Sequence, residues 1–133
     1  MTKREGRTTP CDDATRSGRL AKARQFAEAA ETVTVVQDSP DQYVDVLITL
    51  YVHAGIAAAD VICCVRLGRH ARGENHDDAI RLLEQLDKKA AGSLGVLLGM
   101  KTRAGYGSDA SSKPDLLRAR RASDTLLRQA SDL

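Results

Sequence analysis

The sequence predicts an all-α fold, an up-and-down bundle of four to five helices around one long buried central helix, and three observations carry that prediction. First, Tyr43 to Gly68 reads YVDVLITLYVHAGIAAADVICCVRLG, an apolar run interrupted chiefly by Asp45, His53, Asp60 and Arg66. Strands rarely exceed about ten residues, so an apolar stretch of this length bounded by Pro40 and Gly68 reads as a helix whose surface must mostly be covered. Second, aromatic content is 3%, with one Phe, three Tyr and no Trp, which leaves Leu, Val, Ile and Ala to fill the core. Ala-rich packing favours close helix contacts over a sandwich or barrel. Third, turn signals divide the remainder into segments of helical spacing. At 133 residues, one domain is expected.

Each element follows in order. Residues 1 to 17 mix charge, Thr and Gly with scarcely an apolar side chain, so they read as a flexible basic arm preceding a bundle over 18–133. From Gly18 to Val36, Leu20, Ala23, Ala27, Ala30 and Val33 recur at three- and four-residue steps, the mark of an amphipathic first helix. Its end, TVTVV, is β-branched and is expected to fray. Ser39 is a candidate cap and Pro40 suits a first helical position, opening the second helix that runs to Leu67 and stops at Gly68. On it Ala54, Ala57, Ala58 and Val61 form a small-residue stripe.

Asn75 or His76 opens the third helix, with Asp77 and Asp78 favoured in its first turn by the helix dipole. Leu83, Leu86, Ala90, Leu94 and Leu97 continue a stripe over 76–102, read as two helices broken between Asp87 and Gly92. GYGSDASS, residues 105 to 112, is the longest loop signal within the bundle. Pro114 and Asp115 begin the last helix, with Leu116, Ala119, Ala122, Leu126 and Ala130 on one face and Arg118, Arg121 and Arg128 off it.

Composition narrows the function classes. Cys11, Cys63 and Cys64 form no CxxC pair, and vicinal side chains on a helix diverge by about 100°, so a disulfide framework is not expected and the vicinal pair reads as buried structural thiols in a reducing compartment. The N-terminal segment has no apolar leader, and ionisable Asp45, His53 and Asp60 on the central helix argue against a membrane span; a cytoplasmic protein is expected. Charge is uneven: residues 1 to 24 carry seven Lys/Arg against three acids, residues 25 to 60 six acids and no Lys/Arg, and residues 61 to 133 thirteen against nine. Such basic segments suit phosphates or an acidic partner, and equally a solvated surface.

The order of YVHAGIAAADVICC, a short polar loop, HDDAIRLLEQL, LLGMKTRAGYG and a closing RARRASDTLLRQA resembles the HEPN superfamily, small helical bundles of bacterial toxin-antitoxin and defence systems. The resemblance spans about residues 18 to 131. It implies a four- or five-helix up-and-down bundle, a homodimer, association with RNA or nucleotides, and a cognate nucleotidyltransferase or antitoxin as partner. Active members are metal-independent ribonucleases with an Arg, four to six arbitrary residues and a His. In such a pair the imidazole moves a proton at the ribose 2′-OH while the guanidinium stabilises phosphorane charge. At the expected place, Arg103 is followed by AGYGSDASS, which contains no His, so the catalytic motif is not intact there.

One match to the bare spacing exists, Arg69-HARGEN-His76, in the loop before the third helix. Arg69 and His76 are therefore the candidate catalytic pair, against a solvated basic loop with a helix-opening His. Arg66, Arg72, Lys101 and Arg103 are candidate phosphate contacts alongside Arg69, and Tyr106 a candidate base-stacking residue. His53 and Asp60 lie seven residues apart, about 10 Å along the axis, and each is expected to bind another helix, with Arg103 a candidate partner for Asp60. No metal-ligand cluster, phosphate-binding loop or nucleophile motif appears in the sequence, and no cofactor is expected. Three readings stay open: an RNA- or nucleotide-associated protein, a ribonuclease using Arg69 and His76, and an interaction module whose acidic Glu28 to Asp60 stretch binds another protein.

Overall fold

A computed structural model describes residues 7–72 and 76–133. Strand β1 (Thr8–Pro10) leads into helix α1 (Asp13–Val36), a 3-10 turn (Pro40–Tyr43) and helix α2 (Val44–Leu67). Strand β2 (Arg69–Ala71) then precedes helices α3 (His76–Glu84), α4 (Lys88–Tyr106) and α5 (Lys113–Ser131). The result is the expected helical bundle with a long buried central helix, supplemented by a small ribbon in which β1 and β2 pair antiparallel, Thr8 opposite Ala71 and Pro10 opposite Arg69. The helix α2 packs against α1, α4 and α5.

That central position follows from composition. Fourteen of the residues of α2 are buried, including Leu47, Ile48, Val52 and Val61 and the small stripe Ala54, Ala57 and Ala58. Fully burying a Leu, Ile or Val side chain stabilises by about 1.5–3 kcal/mol, so this helix supplies much of the driving force for assembly. Among the described residues, Pro40–Leu67 is the one stretch long and apolar enough to cross a membrane, and 67% of its most apolar window is buried among the other helices. Gly55 marks the closest approach: a Cβ there would collide with Leu97 of α4 and meet Leu126 of α5 at 3.4 Å. At its end, Gly68 takes φ 72° and its N–H donates to the Cys64 carbonyl, the expected left-handed stop.

Boundaries differ from expectation where long-range contacts intervene. The first helix begins at Asp13, not Gly18, because Asp12 caps it by accepting from the Thr15 N–H at 2.8 Å. Residues 8–17, expected within a flexible arm, are thus in the ribbon, the cap and α1; residues 1–6 lie outside the described residues. The β-branched end of α1 does not unravel before Val36: Val33 packs on the core and Thr34 Oγ1 donates to the Ala30 carbonyl at 2.9 Å. Pro40 does open a helical turn, but the Ser39 side chain makes no cap bond.

The third and fourth helices separate at Asp87, whose Oδ1 accepts from the N–H groups of Lys89 and Ala90 while Oδ2 accepts from Gln129 of α5. The expected 105–112 loop shortens to 107–112, since α4 continues through Tyr106. That loop is pinned to the start of the central helix by Ser111 N–H donating to Asp45 Oδ1 at 3.1 Å and by the Lys113–Asp41 ion pair at 2.7 Å.

The cysteine expectation is also corrected. Cys64 is disulfide-bonded to Cys11, with Cα atoms 5.4 Å apart, and only Cys63 is a free, buried thiol. The vicinal pair diverges as a helix requires. What local reasoning missed is that β1, lying beside β2 just past the end of α2, carries Cys11 to Cys64; the Cys11 N–H donates to the Gly68 carbonyl at 3.0 Å.

Candidate functional site

The polar residues of α2 converge on one side. Asp60 accepts from Arg19 of α1 at its Oδ2 atom, 3.0 Å from Nε and 2.7 Å from Nη2. Its other oxygen lies 4.0 Å from His70 Nδ1, and that nitrogen is 2.8 Å from the Ala71 carbonyl, so the tautomer with the proton on Nδ1 donates to the backbone. Arg103, the partner expected for Asp60, is exposed in a different groove with Met100, Ser111 and Arg118. His53, as expected, reaches another helix: its ring stacks on Phe26 of α1 with centroids 5.2 Å apart.

Beside Asp60 a cavity of about 180 Å³ opens between α1, α2, β2, α3 and α4. Ile56, Ala59, Ala79, Leu94 and Leu98 give it apolar walls, and Arg19, Asp60, Cys63, His76 and Lys101 supply its polar atoms. Burial pushes the Asp60 carboxyl above its ordinary range, and the Arg19 guanidinium and His70 pull it part of the way back. Burial, with Asp60 next to it, pushes the Cys63 thiol up to about 12, while the nearby charge of Arg69 opposes the shift; the thiol is therefore protonated and unreactive. Burial followed by the charges of Lys101 and Arg19 holds His53 below its ordinary value, so it is neutral at pH 7.

Arg19 and Lys101 give the cavity wall two cations against the single carboxylate of Asp60. Arg19 is matched by Asp60, but Lys101, half-buried, has no carboxylate within ion-pair distance among the described residues. An anion entering here would meet a primary ammonium and an imidazole in a partly apolar setting, where charge-assisted hydrogen bonds are stronger than at an open surface.

Of the residues singled out by sequence, His76 and Lys101 line this cavity, and the charge of Arg69 is felt at its Cys63 wall. Residues 73–75 of the Arg69–His76 motif, Asn75 among them, lie outside the described residues. The rest do not gather there. Arg66 lines a separate groove with Ile62, Leu86 and Gln129, and Arg72 follows β2 with its N–H donating to the Arg7 carbonyl. Tyr106, 83% exposed, sits at the far end of α4. In the sequence His70 offers only a weaker catalytic combination with Arg66, and Arg19 was missed; a position flanking the Leu20–Ala23 stripe was its sole signal. Among the described residues no three His, Cys, Asp or Glu side chains cluster to hold a metal ion. The chain matches no protein-family model, and no curated protein matches it.

Proposed function

We propose that this protein is a HEPN-like, cytoplasmic RNA- or nucleotide-associated bundle that binds phosphate at the Lys101–His76 cavity. The observation that carries this reading is the half-buried Lys101 ammonium, without a carboxylate partner among the described residues, sharing a cavity with His76. An anion placed there would gain a charge-assisted hydrogen bond from the ammonium. In this reading the protein works as a homodimer in a toxin-antitoxin or defence setting, beside a cognate nucleotidyltransferase or antitoxin protein.

The test is titration of a short single-stranded RNA and of a nucleoside diphosphate at several salt concentrations. Binding that weakens with salt and falls about tenfold in Lys101→Ala supports the proposal, since each tenfold step is about 1.4 kcal/mol, the order expected for one charge-assisted contact. Salt-insensitive binding, or none, would sink it. A second reading, phosphodiester cleavage by Arg69 and His76, is favoured by the position of His76 on the wall of the cavity that Asp60 also lines. RNA cleavage abolished by His76→Ala, with binding retained, would select it.

A further inference from the structure

The ribbon that walls the cavity is short. β1 and β2 pair over three residues each, supplemented by the Cys11–Gly68 and Arg7–Arg72 backbone bonds. A two-stranded ribbon of this size is at best marginally stable on its own. Yet β2 carries much that faces the site: Ala71 lines the cavity, His70 stands 4.0 Å from Asp60, and Arg69 perturbs Cys63. Its partner strand is tied down covalently one residue past its end, by Cys11 to Cys64.

The bridge also borders the surface: Cys11 is partly exposed, while Cys64 is only 7% exposed. Cys11 and Cys64 line an open groove of about 260 Å³ with Asp12, Asp13, Arg16 and Val65, on the other side of α2 from the Cys63 thiol in the cavity wall. Cys63 is buried and protonated, so it is a poor internal nucleophile, and the bridge can open and close without scrambling to the adjacent sulfur. Under the cytoplasmic reading proposed above, a bridge of this kind is transient and redox-sensing, not permanent.

From these placements we infer that the Cys11–Cys64 disulfide is a reversible clasp that holds the β1–β2 ribbon as a wall of the cavity and thereby regulates ligand binding there by redox state. The regulatory half rests on the phosphate-binding reading above; the clasp itself does not. In the opening step a dithiol attacks one sulfur of the bridge as its thiolate, forming a mixed disulfide and releasing the other cysteine, which takes up a proton. The second thiol of the reductant then closes its own ring and releases the remaining cysteine. The protein gains two electrons and two protons, and the dithiol is oxidised to a cyclic disulfide. Closure runs the reverse course with a small disulfide such as oxidised glutathione as the acceptor, yielding two equivalents of the reduced thiol.

The experiment uses the full chain equilibrated with oxidised glutathione or with dithiothreitol. Alkylation after unfolding should count one free thiol in the oxidised protein and three in the reduced one. Amide hydrogen exchange over residues 7–11 and 69–72 should then quicken by about tenfold or more on reduction while α2 stays protected, the signature of a local opening. RNA affinity should fall several-fold in the same step. A Cys11→Ala variant should behave as the reduced protein in both buffers; if it does not fold, reduction of the unmodified chain reads the same quantities. Three free thiols under oxidised glutathione, or exchange unchanged by reduction, overturns the clasp. Exchange that quickens with RNA affinity unchanged overturns the regulation and leaves the phosphate site standing. RNA bound in neither state sinks the phosphate reading and the regulation together, while the exchange data continue to report the clasp.

Discussion

Two faces of the same helix do opposite things. On one, Gly55 of α2 comes against Leu97 and Leu126, with the Ala54–Ala58 stripe buried beside it. On the other, His53, Asp60 and Cys63 face α1 and a half-apolar cavity ringed by Arg19, His76 and Lys101. The first face gains its stability from close approach, which glycine and alanine permit. The second carries charge whose desolvation must be offset by partners. The bundle is thus built dry along one seam and polar along another, and substitutions on the two should differ in size, coupling and pH dependence.

The largest effect belongs to the dry seam. Leu97 is fully buried against Gly55, and Leu97→Ala should cost about 4 kcal/mol in chemical denaturation, because its neighbours can collapse only partly into the space. A cost under about 1 kcal/mol would mean that the seam is loosely packed.

Next comes the polar seam. Arg19→Met leaves Asp60 buried without its cation, and the loss should be about 2 kcal/mol at neutral pH, below the usual figure for a deeply buried pair because both side chains retain some exposure. Its pH dependence has a definite sign. A carboxyl whose folded-state pKa is raised contributes stability that is present below its unfolded value of 3.8 and is lost as pH rises through the folded value. Removing Arg19 raises that value further, so the deficit of the variant should shrink toward pH 4. A deficit independent of pH would show that the guanidinium matters for packing and not for charge.

A smaller effect tests whether the dry seam is limited by shape alone. Gly55→Ala gains helix propensity but places its Cβ against Leu97, so alone it should destabilise by about 1 kcal/mol. In the Leu97→Ala background the clash disappears and the same change should stabilise by up to about 1 kcal/mol, a coupling that a double-mutant cycle reads directly. Additive values would sink the claim that Gly55 is there for close approach.

The same contrast explains what could be read beforehand. The dry seam was legible because apolar periodicity, the small-residue stripe and the Gly68 stop are local signals, and the helix they describe is found at Val44–Leu67 with Gly68 as its cap. The α3–α4 break at Asp87 was legible for the same reason. The polar seam was legible in part. Asp60 announced that it needed a cation, but with fourteen arginines in the chain nothing local says that Arg19 and not Arg103 comes within reach. The ribbon was missed because RTTPC has no apolar pattern: its order comes from pairing with residues 69–71 and from a bond to a cysteine 53 positions away. His76 and Lys101 were singled out separately, and their meeting depends on how α3 and α4 fold back over α2.

The smallest effect sharpens the electrostatic account of the cavity. His53 is held below its ordinary 6.5 by burial first and by Lys101 and Arg19 second. A histidine with a depressed folded-state value contributes stability that is present above its unfolded value and is lost as pH falls through the folded one. The protein should therefore lose a little stability as the pH drops below 6.5, and an NMR titration of the His53 ring should place its midpoint under that value. Lys101→Met removes one of the two repelling charges and should move the midpoint up toward 6.5 without changing the Phe26 stacking contact. Phosphate bound beside Lys101 should move it the same way, because an anion there screens the ammonium. A midpoint indifferent to both would show that the charge of Lys101 is not felt at His53 and would remove this electrostatic account.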